Sequence, residues 1–249
     1  MRQAMPLLLL ALAAPAAAQD AGSAVFPDGI GRTWTYVGRV RWATPGSVGP
    51  IEREVTWPVA VVDVIERGRV LAIFLHGHPD DLIWYEEGRK PGDHAIVQVD
   101  GDGLWHLEGG GVEELRRRLA DPIDPLVDLL REGEKFLDLP LRVGGRACGA
   151  DQVAREDGFY CWIVESSELV GPGSMEGILG DRTAYHLVLR TIGEHRFVDL
   201  VPGVGIVNYV FSHHGSVSDV ELRLARVWPP LPGAPNGVSP TRSPSPGGS

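Results

Sequence analysis

The sequence predicts a mainly β protein: a curved antiparallel sheet or half-barrel made of two similar β halves, with a short helical insert. Three observations predict it. β-Branched and aromatic runs recur along the chain, joined by short glycine-bearing turns. Only one stretch carries a helical period. A short opening pattern also occurs twice, once before each strand-rich region.

The chain begins MRQAMPLLLLALAAPAAAQD. Arg2 precedes an apolar run from Met5 to Leu12, and small residues end in Ala16-Ala17-Ala18. This is the three-part layout of a secretory signal peptide, so residues 1–18 are expected to be removed. The run is too short to cross a bilayer, which takes about 20 residues, and no later segment is long and apolar enough to do so. No cysteine follows the cleavage region, so a lipid anchor is not expected. The mature chain is expected to be periplasmic or extracellular.

Strands follow. VTWPVAVVDVIERGRVLAIFL reads as a hairpin turning at Glu66-Arg67-Gly68, and HAIVQVDGDGLWHLE as another turning at Asp100-Gly101-Asp102-Gly103. Then comes the helical insert, about 111–131, where Val112, Leu115 and Leu119 recur at helical spacing. Pro122 and Pro125 break it before a short turn from Leu126 to Leu130. The last third reads as a meander: TAYHLVLRT, HRFVDLV, VGIVNYVFS and SDVELRLARV, with turns at Gly193, Pro202-Gly203 and Gly215. In the last of these, Val220, Leu222, Leu224 and Val227 nearly alternate with charged residues, as on a sheet with one wet face.

FPDGIGRTW (Phe26 to Trp34) and LPLRVGGRA (Leu139 to Ala147) share an apolar-Pro start and a glycine five positions later. Each precedes a strand-rich region, which implies two β halves. Hydrophobic content continues across the join, so residues 19–227 read as a single β-rich domain. From Trp228 the composition turns to proline, glycine and serine, and 228–249 reads as a disordered tail.

Cys148 and Cys161 are the two cysteines, and an exported chain makes a disulfide the default reading. Closing so short a loop is worth roughly 3 kcal/mol. The formal charge is −10, or −11 once Arg2 leaves with the leader, and acidic residues are spread throughout. Nucleic acid and anionic membrane surfaces both need a basic face, so neither is an expected partner.

The chemistry candidates centre on HGHPDD. On a strand His76 and His78 would point to one side and could share a zinc ion, with Asp80 or Asp81 completing the set. His76, His78 and Asp80 match the His-x-His-x-Asp-His pattern of metallo-β-lactamase-like hydrolases, although Asp81 stands at the last histidine. His78-Pro79-Asp80-Asp81 matches the His-Pro-Asp-Asp-Glu of zinc deacetylases, although Leu82 stands at the glutamate. Both families place the motif among alternating strands and helices, whereas here a loop and a hairpin follow. The segment therefore reads as a strand end and a turn, with Pro79 and the aspartates as turn residues.

The other candidates also read structurally. In SHHG, only one of His213 and His214 can face a given pocket. No Gly-x-Ser-x-Gly elbow is present, and nothing in the sequence sets a serine beside a histidine and a carboxylate. Glu86 and Glu87 beside Trp84 and Tyr85 could face a sugar, but read as a solvated loop. Trp34, Tyr36, Trp42 and Trp57 suit core packing better than a ligand platform.

FPDGIGRTWTYVG, DLIWYEEGRKPGD, LPLRVGG and VPGVGIVNYVFSHHGSVSDVELRL together resemble a family of exported bacterial β-rich proteins of uncharacterised function. Its marks are a Phe-Pro…Gly-x-x-Trp-x-Tyr opening and a late Pro-Gly-Val-Gly-Ile-Val-x-Tyr strand. The match spans most of the mature chain apart from the tail and carries no catalytic residues. In the second opening Ala147-Cys148 stands where a tryptophan would echo Trp34. The resemblance implies a curved antiparallel sheet in the style of periplasmic lipoprotein carriers, whose concave face would hold an apolar small molecule or a segment of an envelope protein.

The expectation is thus an exported, non-catalytic binding or envelope-associated module without a cofactor. The rival is a zinc-dependent hydrolase using His76, His78, Asp80 and Asp81. A hydrolase needs its histidines to converge with a third ligand at a cleft; a module needs an apolar groove and can spare them.

Overall fold

The computed structural model describes residues 24–43, 48–148, 158–170, 179, 182–214 and 218–231. The expected leader, residues 1–18, and most of the expected tail lie outside these.

Among the described residues, twelve antiparallel strands form one sheet that curls into a nearly closed barrel. The first six are β1 (Thr33–Trp42), β2 (Ile51–Arg67), β3 (Val70–His76), β4 (Asp93–Val99), β5 (Gly103–Glu108) and β6 (Glu134–Asp138). The second six are β7 (Arg146–Cys148), β8 (Cys161–Leu169), β9 (Thr183–Arg190), β10 (Glu194–Val201), β11 (Gly205–His213) and β12 (Asp219–Trp228). Their order, β6-β5-β4-β3-β2-β1-β12-β11-β10-β9-β8-β7, is two six-stranded meanders joined along β1 and β12.

The duplication read from the two openings holds in detail. Gly31 and Gly144, five residues into each opening, both take a left-handed backbone, φ 81° in each, which glycine adopts without strain. Each opening then closes on the second strand of its own half. Val61 donates its N–H to the Arg32 carbonyl and accepts from Gly31, while Val164 donates to Gly145 and accepts from Gly144. Both β2 and β8 shift register just after that valine. The turns Val99–Gly103 and Val201–Gly205 are also equivalent, with Gly101 and Gly203 in the left-handed region.

The helical insert lies inside the first half, between β5 and β6. It forms two helices, α1 (Gly110–Leu119) and α2 (Val127–Glu132), parted where Pro122 and Pro125 deny the chain a continuous helix. Val112, Leu115, Leu119, Leu129 and Leu130 cover Phe74, Val97, Trp105 and Leu107 on the outer face of β3–β5. These central strands are therefore buried on both faces. β12 runs to Trp228, and Leu231 is buried.

The inner face is filled by side chains rather than left as a groove. Trp34, Tyr36, Trp57, Tyr209 and Phe211 lie there, each at most 5% exposed. Three of them anchor polar ends on backbone carbonyls: the Trp34 indole donates to Val204 (2.7 Å), the Tyr36 hydroxyl to Ile206 (2.8 Å) and the Trp57 indole to His78 (3.0 Å). The aromatic cluster is core, as read.

The edge strands β6 and β7 do not pair with each other. Trp162 on β8 instead spans the gap, its indole donating to Glu134 on β6 at 2.8 Å while its ring meets Phe136 edge-on. The Cys148–Cys161 disulfide is formed and ties β7 to β8 across directly paired positions.

The seam between halves sets one sharp requirement. A Cβ at Gly38 on β1 would stand 1.9 Å from the Glu221 carbonyl oxygen of β12. Both atoms belong to backbone, so neither can swing aside. Gly38→Ala is expected to cost about 3 kcal/mol or more through forced separation of the seam, read as a lower urea midpoint. An unchanged midpoint would show that the seam has slack.

Candidate functional site

At the end of β3 the chain reaches the HGHPDD segment. The strand stops at His76, and Gly77 takes φ 88°. A side chain at Gly77 would place its Cβ 2.4 Å from the Pro58 carbonyl oxygen. This turn parts the two histidines. His76 remains at the surface, with its Nδ1 3.1 Å from Asp93. His78 turns inward as the cap of a short 3-10 turn over Pro79–Leu82. The i, i+2 pairing expected of a strand is lost, and His76 leaves the candidate ligand set.

His78 meets two histidines that the motif search did not single out. His94 on β4 and His106 on β5 are diagonal neighbours across the ladder that pairs Ile96 with His106. Both face inward, in phase with Ile96 and Leu104. The three rings lie 4.3 Å (His78–His106), 5.1 Å (His94–His106) and 5.2 Å (His78–His94) apart. One nitrogen from each falls within 4.8 Å of the others.

Two carboxylates hold these rings. Asp81 accepts from the His78 backbone N–H at 2.9 Å and from that of Gly92 at 3.1 Å, and meets His94 Nε2 at 3.0 Å. A Cβ at Gly92 would lie 2.8 Å from the Asp81 carboxylate, so glycine keeps this bracket open. Asp80 lies 3.6 Å from His78 Nδ1 and 3.5 Å from His106 Nδ1. The HGHPDD segment thus turns as read, yet three of its four candidate residues enter a buried polar centre.

The second half supplies the counter-charge. Arg196 on β10 sits 3.4 Å from Asp80 and 3.3 Å from Glu134, with Glu194 at 3.0 Å. It occupies the place in its hairpin that His94 holds in the other half, five residues before the matching turn. Tyr209 on β11 is fully buried beside this group, with Asp80 as its acidic neighbour.

Burial and charge set the protonation states. Burial pushes His78 well below the ordinary histidine value, and the neighbouring His106 adds to the effect. Burial likewise lowers His106, although Asp80 opposes it. Burial raises the Asp80 carboxyl, but His78, Arg196 and His106 outweigh this and hold it low; among them Arg196 carries a permanent charge. At Asp81, burial is overcome by the His94 contact and the two backbone N–H groups.

A cleft of about 440 Å³ opens onto this centre. Asp80, His106, Glu134 and Arg196 form its inner wall, while Trp84, 68% exposed, stands at its rim.

The remaining candidates do not join it. Tyr85 packs edge-on against Trp42 at 4.8 Å, and Glu87 pairs with Arg53 at the surface. His213 approaches Gly193, and His214 packs against His195. The structure does set a serine beside a histidine and a carboxylate, contrary to the sequence reading: Ser166, His186 and Asp199 are in register across β8, β9 and β10. His186 Nδ1 meets Asp199 at 2.5 Å, but its Nε2 faces Glu168 at 3.4 Å. With a carboxylate at each nitrogen, neither is left to take a proton from Ser166, and the row is not an acyl-transfer triad.

No family model and no curated protein matches the chain. Two solved structures do. One, from Bacteroides fragilis, is described as exported and of YmcC-like fold; it shares 12% identity at a TM-score of 0.38, over 82% of this chain and 99% of that one. The other, from Parabacteroides distasonis, is described as a lipoprotein; it shares 12% identity at a TM-score of 0.36, over 84% of this chain and 100% of that one.

The lowered histidines predict a pH dependence. An unfolded chain binds protons at His78 and His106 below about pH 6.5, whereas the folded chain resists them. The folded state therefore loses stability as pH falls through that value, by up to about 1.4 kcal/mol per pH unit for each histidine. Chelator-treated protein should show a falling unfolding free energy from about pH 7.5 to 5, with a shallower slope in His106→Gln. Equal slopes in the two proteins would remove His106 from this account.

Proposed function

We propose that this is an exported, non-catalytic binding protein whose ligand site is the polar cleft of the Asp80–His106–Glu134–Arg196 wall. The leader pattern of residues 1–18 and the Cys148–Cys161 disulfide support export.

One observation carries the binding reading. Arg196 Nε is buried and closes no hydrogen bond among the described residues, while its neighbour Tyr209 turns its buried hydroxyl to Asp80. Buried donors without acceptors are costly, at about 1–3 kcal/mol each, and native chains keep few of them. This one belongs to the inner wall of an open cleft. A ligand offering an acceptor oxygen would satisfy it.

The cleft also selects against the apolar ligand that the family resemblance implies. The sheet interior that would hold one is occupied by Trp34, Tyr36 and Phe211. The cleft itself presents Asp80, Glu108, Glu132, Glu134 and Glu194 against the single Arg196. Its ligand is hydrophilic, neutral or cationic, with hydroxyl or amine donors for the carboxylates, and Trp84 offers an exposed ring for its apolar edge.

Thermal-shift titration tests this with glucosamine and a neutral oligosaccharide beside a long-chain fatty acid. A saturable rise in Tm is expected from the hydrophilic group, reduced at least tenfold in affinity by Glu134→Gln or Trp84→Ala. A rise with the fatty acid alone, unaffected by both substitutions, would return the ligand to an apolar face.

A further inference from the structure

The three imidazoles go beyond that reading, because their protons do not add up. His94 Nε2 faces Asp81 Oδ1 at 3.0 Å, and His94 Nδ1 faces His106 Nε2 at 2.9 Å. His106 Nδ1 faces Asp80 Oδ2 at 3.5 Å. A neutral imidazole carries one N–H and one lone pair. If His94 donates to Asp81, its Nδ1 must accept from His106, and His106 then turns a bare nitrogen toward Asp80. If His106 donates to Asp80, His94 must donate to His106, and a bare His94 nitrogen faces Asp81. Each neutral arrangement leaves a lone pair against a carboxylate. One positive charge between the two rings resolves it.

We propose that His78, His94 and His106 form a mononuclear transition-metal site of the zinc class. A cation between His94 Nδ1 and His106 Nε2 lets both lone pairs point at it, and both outer N–H groups then point at Asp81 and Asp80. That is the outer-shell arrangement which orients ligating histidines. His78 brings the third ring from the 3-10 turn: its Nδ1 accepts from the Asp80 N–H at 3.3 Å, so ligation through Nε2 requires the proton to move to Nδ1, which faces the Asp80 carboxylate at 3.6 Å. Zinc–imidazole bonds of about 2.0–2.1 Å in a tetrahedral set put ligand nitrogens about 3.4 Å apart. The present 2.9 Å between His94 and His106 is reached from there by a shift of a few tenths of an ångström. An all-imidazole set favours zinc and its transition-metal neighbours over magnesium or calcium.

The chain offers a second grouping, Asp80, His106 and Glu134. It already holds a cation, since the Arg196 guanidinium lies between the two carboxylates at 3.4 and 3.3 Å. The inference is therefore one metal ion, and it involves neither His76 nor the spacing of the HGHPDD motif.

The test is metal content of untagged protein purified without chelator, followed by chelator treatment and titration with Zn²⁺ and Co²⁺. The expected result is one zinc per chain and a tetrahedral visible spectrum with cobalt. His94→Gln and His106→Gln should lose both, His76→Gln should keep both, and Asp81→Asn should weaken zinc binding about 10- to 100-fold. Folded wild type that takes up neither ion overturns the proposal, as does uptake unchanged in the His94 and His106 variants. If those variants fail to fold, Asp81→Asn decides: unaltered zinc affinity there counts against the site. A ligand-free cleft with intact zinc binding would reject the reading of the cleft and leave the metal site standing.

Discussion

The fold depends on the contact between β1 and β12. Those strands join two meanders that would otherwise each expose an apolar face, and they do so with Gly38 laid against the Glu221 carbonyl. Once the halves are joined edge to edge, the twist of twelve strands carries the sheet round on itself. The two inner faces then share one interior. Side chains from both halves fill it, with Trp34 of the first half donating to a carbonyl of the second. Closure stays incomplete because β6 and β7 are short, and the single indole of Trp162 stands where a ladder would be.

That incomplete closure explains where polarity can be tolerated. In the middle of the interior an ionised carboxylate would be prohibitively desolvated. Near the gap between β6 and the second half, Asp80 and Glu134 have Arg196 between them and a cleft beside them. The same arrangement is vulnerable: deleting one member of a buried ion pair leaves the other uncompensated, which is worse than removing both. The two halves thus depend on each other chemically as well as through packing, since the carboxylates come from one and the guanidinium from the other.

Much of the architecture was legible because it is local. Hairpins at Gly68 and Asp100–Gly103, helix-breaking prolines and the paired glycines 31 and 144 each impose their geometry within a few residues. The site was legible only in part. HGHPDD drew attention for its composition, but the i, i+2 rule that linked His76 to His78 fails where the strand ends at Gly77. His94 and His106 looked like ordinary strand residues, since their convergence is created by ladder pairing. A signal was nevertheless present. In HAIVQV and LWHLE the histidines share phase with Ile96 and Leu104, so each fills a position where a strand buried on both faces would otherwise place an aliphatic residue.

The repeat sharpens that point. In a duplicated fold, equivalent positions begin with equivalent surroundings, and the difference between them shows what each half has been made to do. His94 and Arg196 occupy one such pair, both directed at the polar centre. Had the position served only packing, an aliphatic residue would suit both halves, as Val99 and Val201 do at the turns a few residues on. Two different nitrogen bases there, each set against an aspartate from the same 3-10 turn, are what packing does not require. The first half presents a lone-pair donor and the second a fixed positive charge. In the proposed site those are complementary roles, and the doubled sheet brings them to one pair of aspartates.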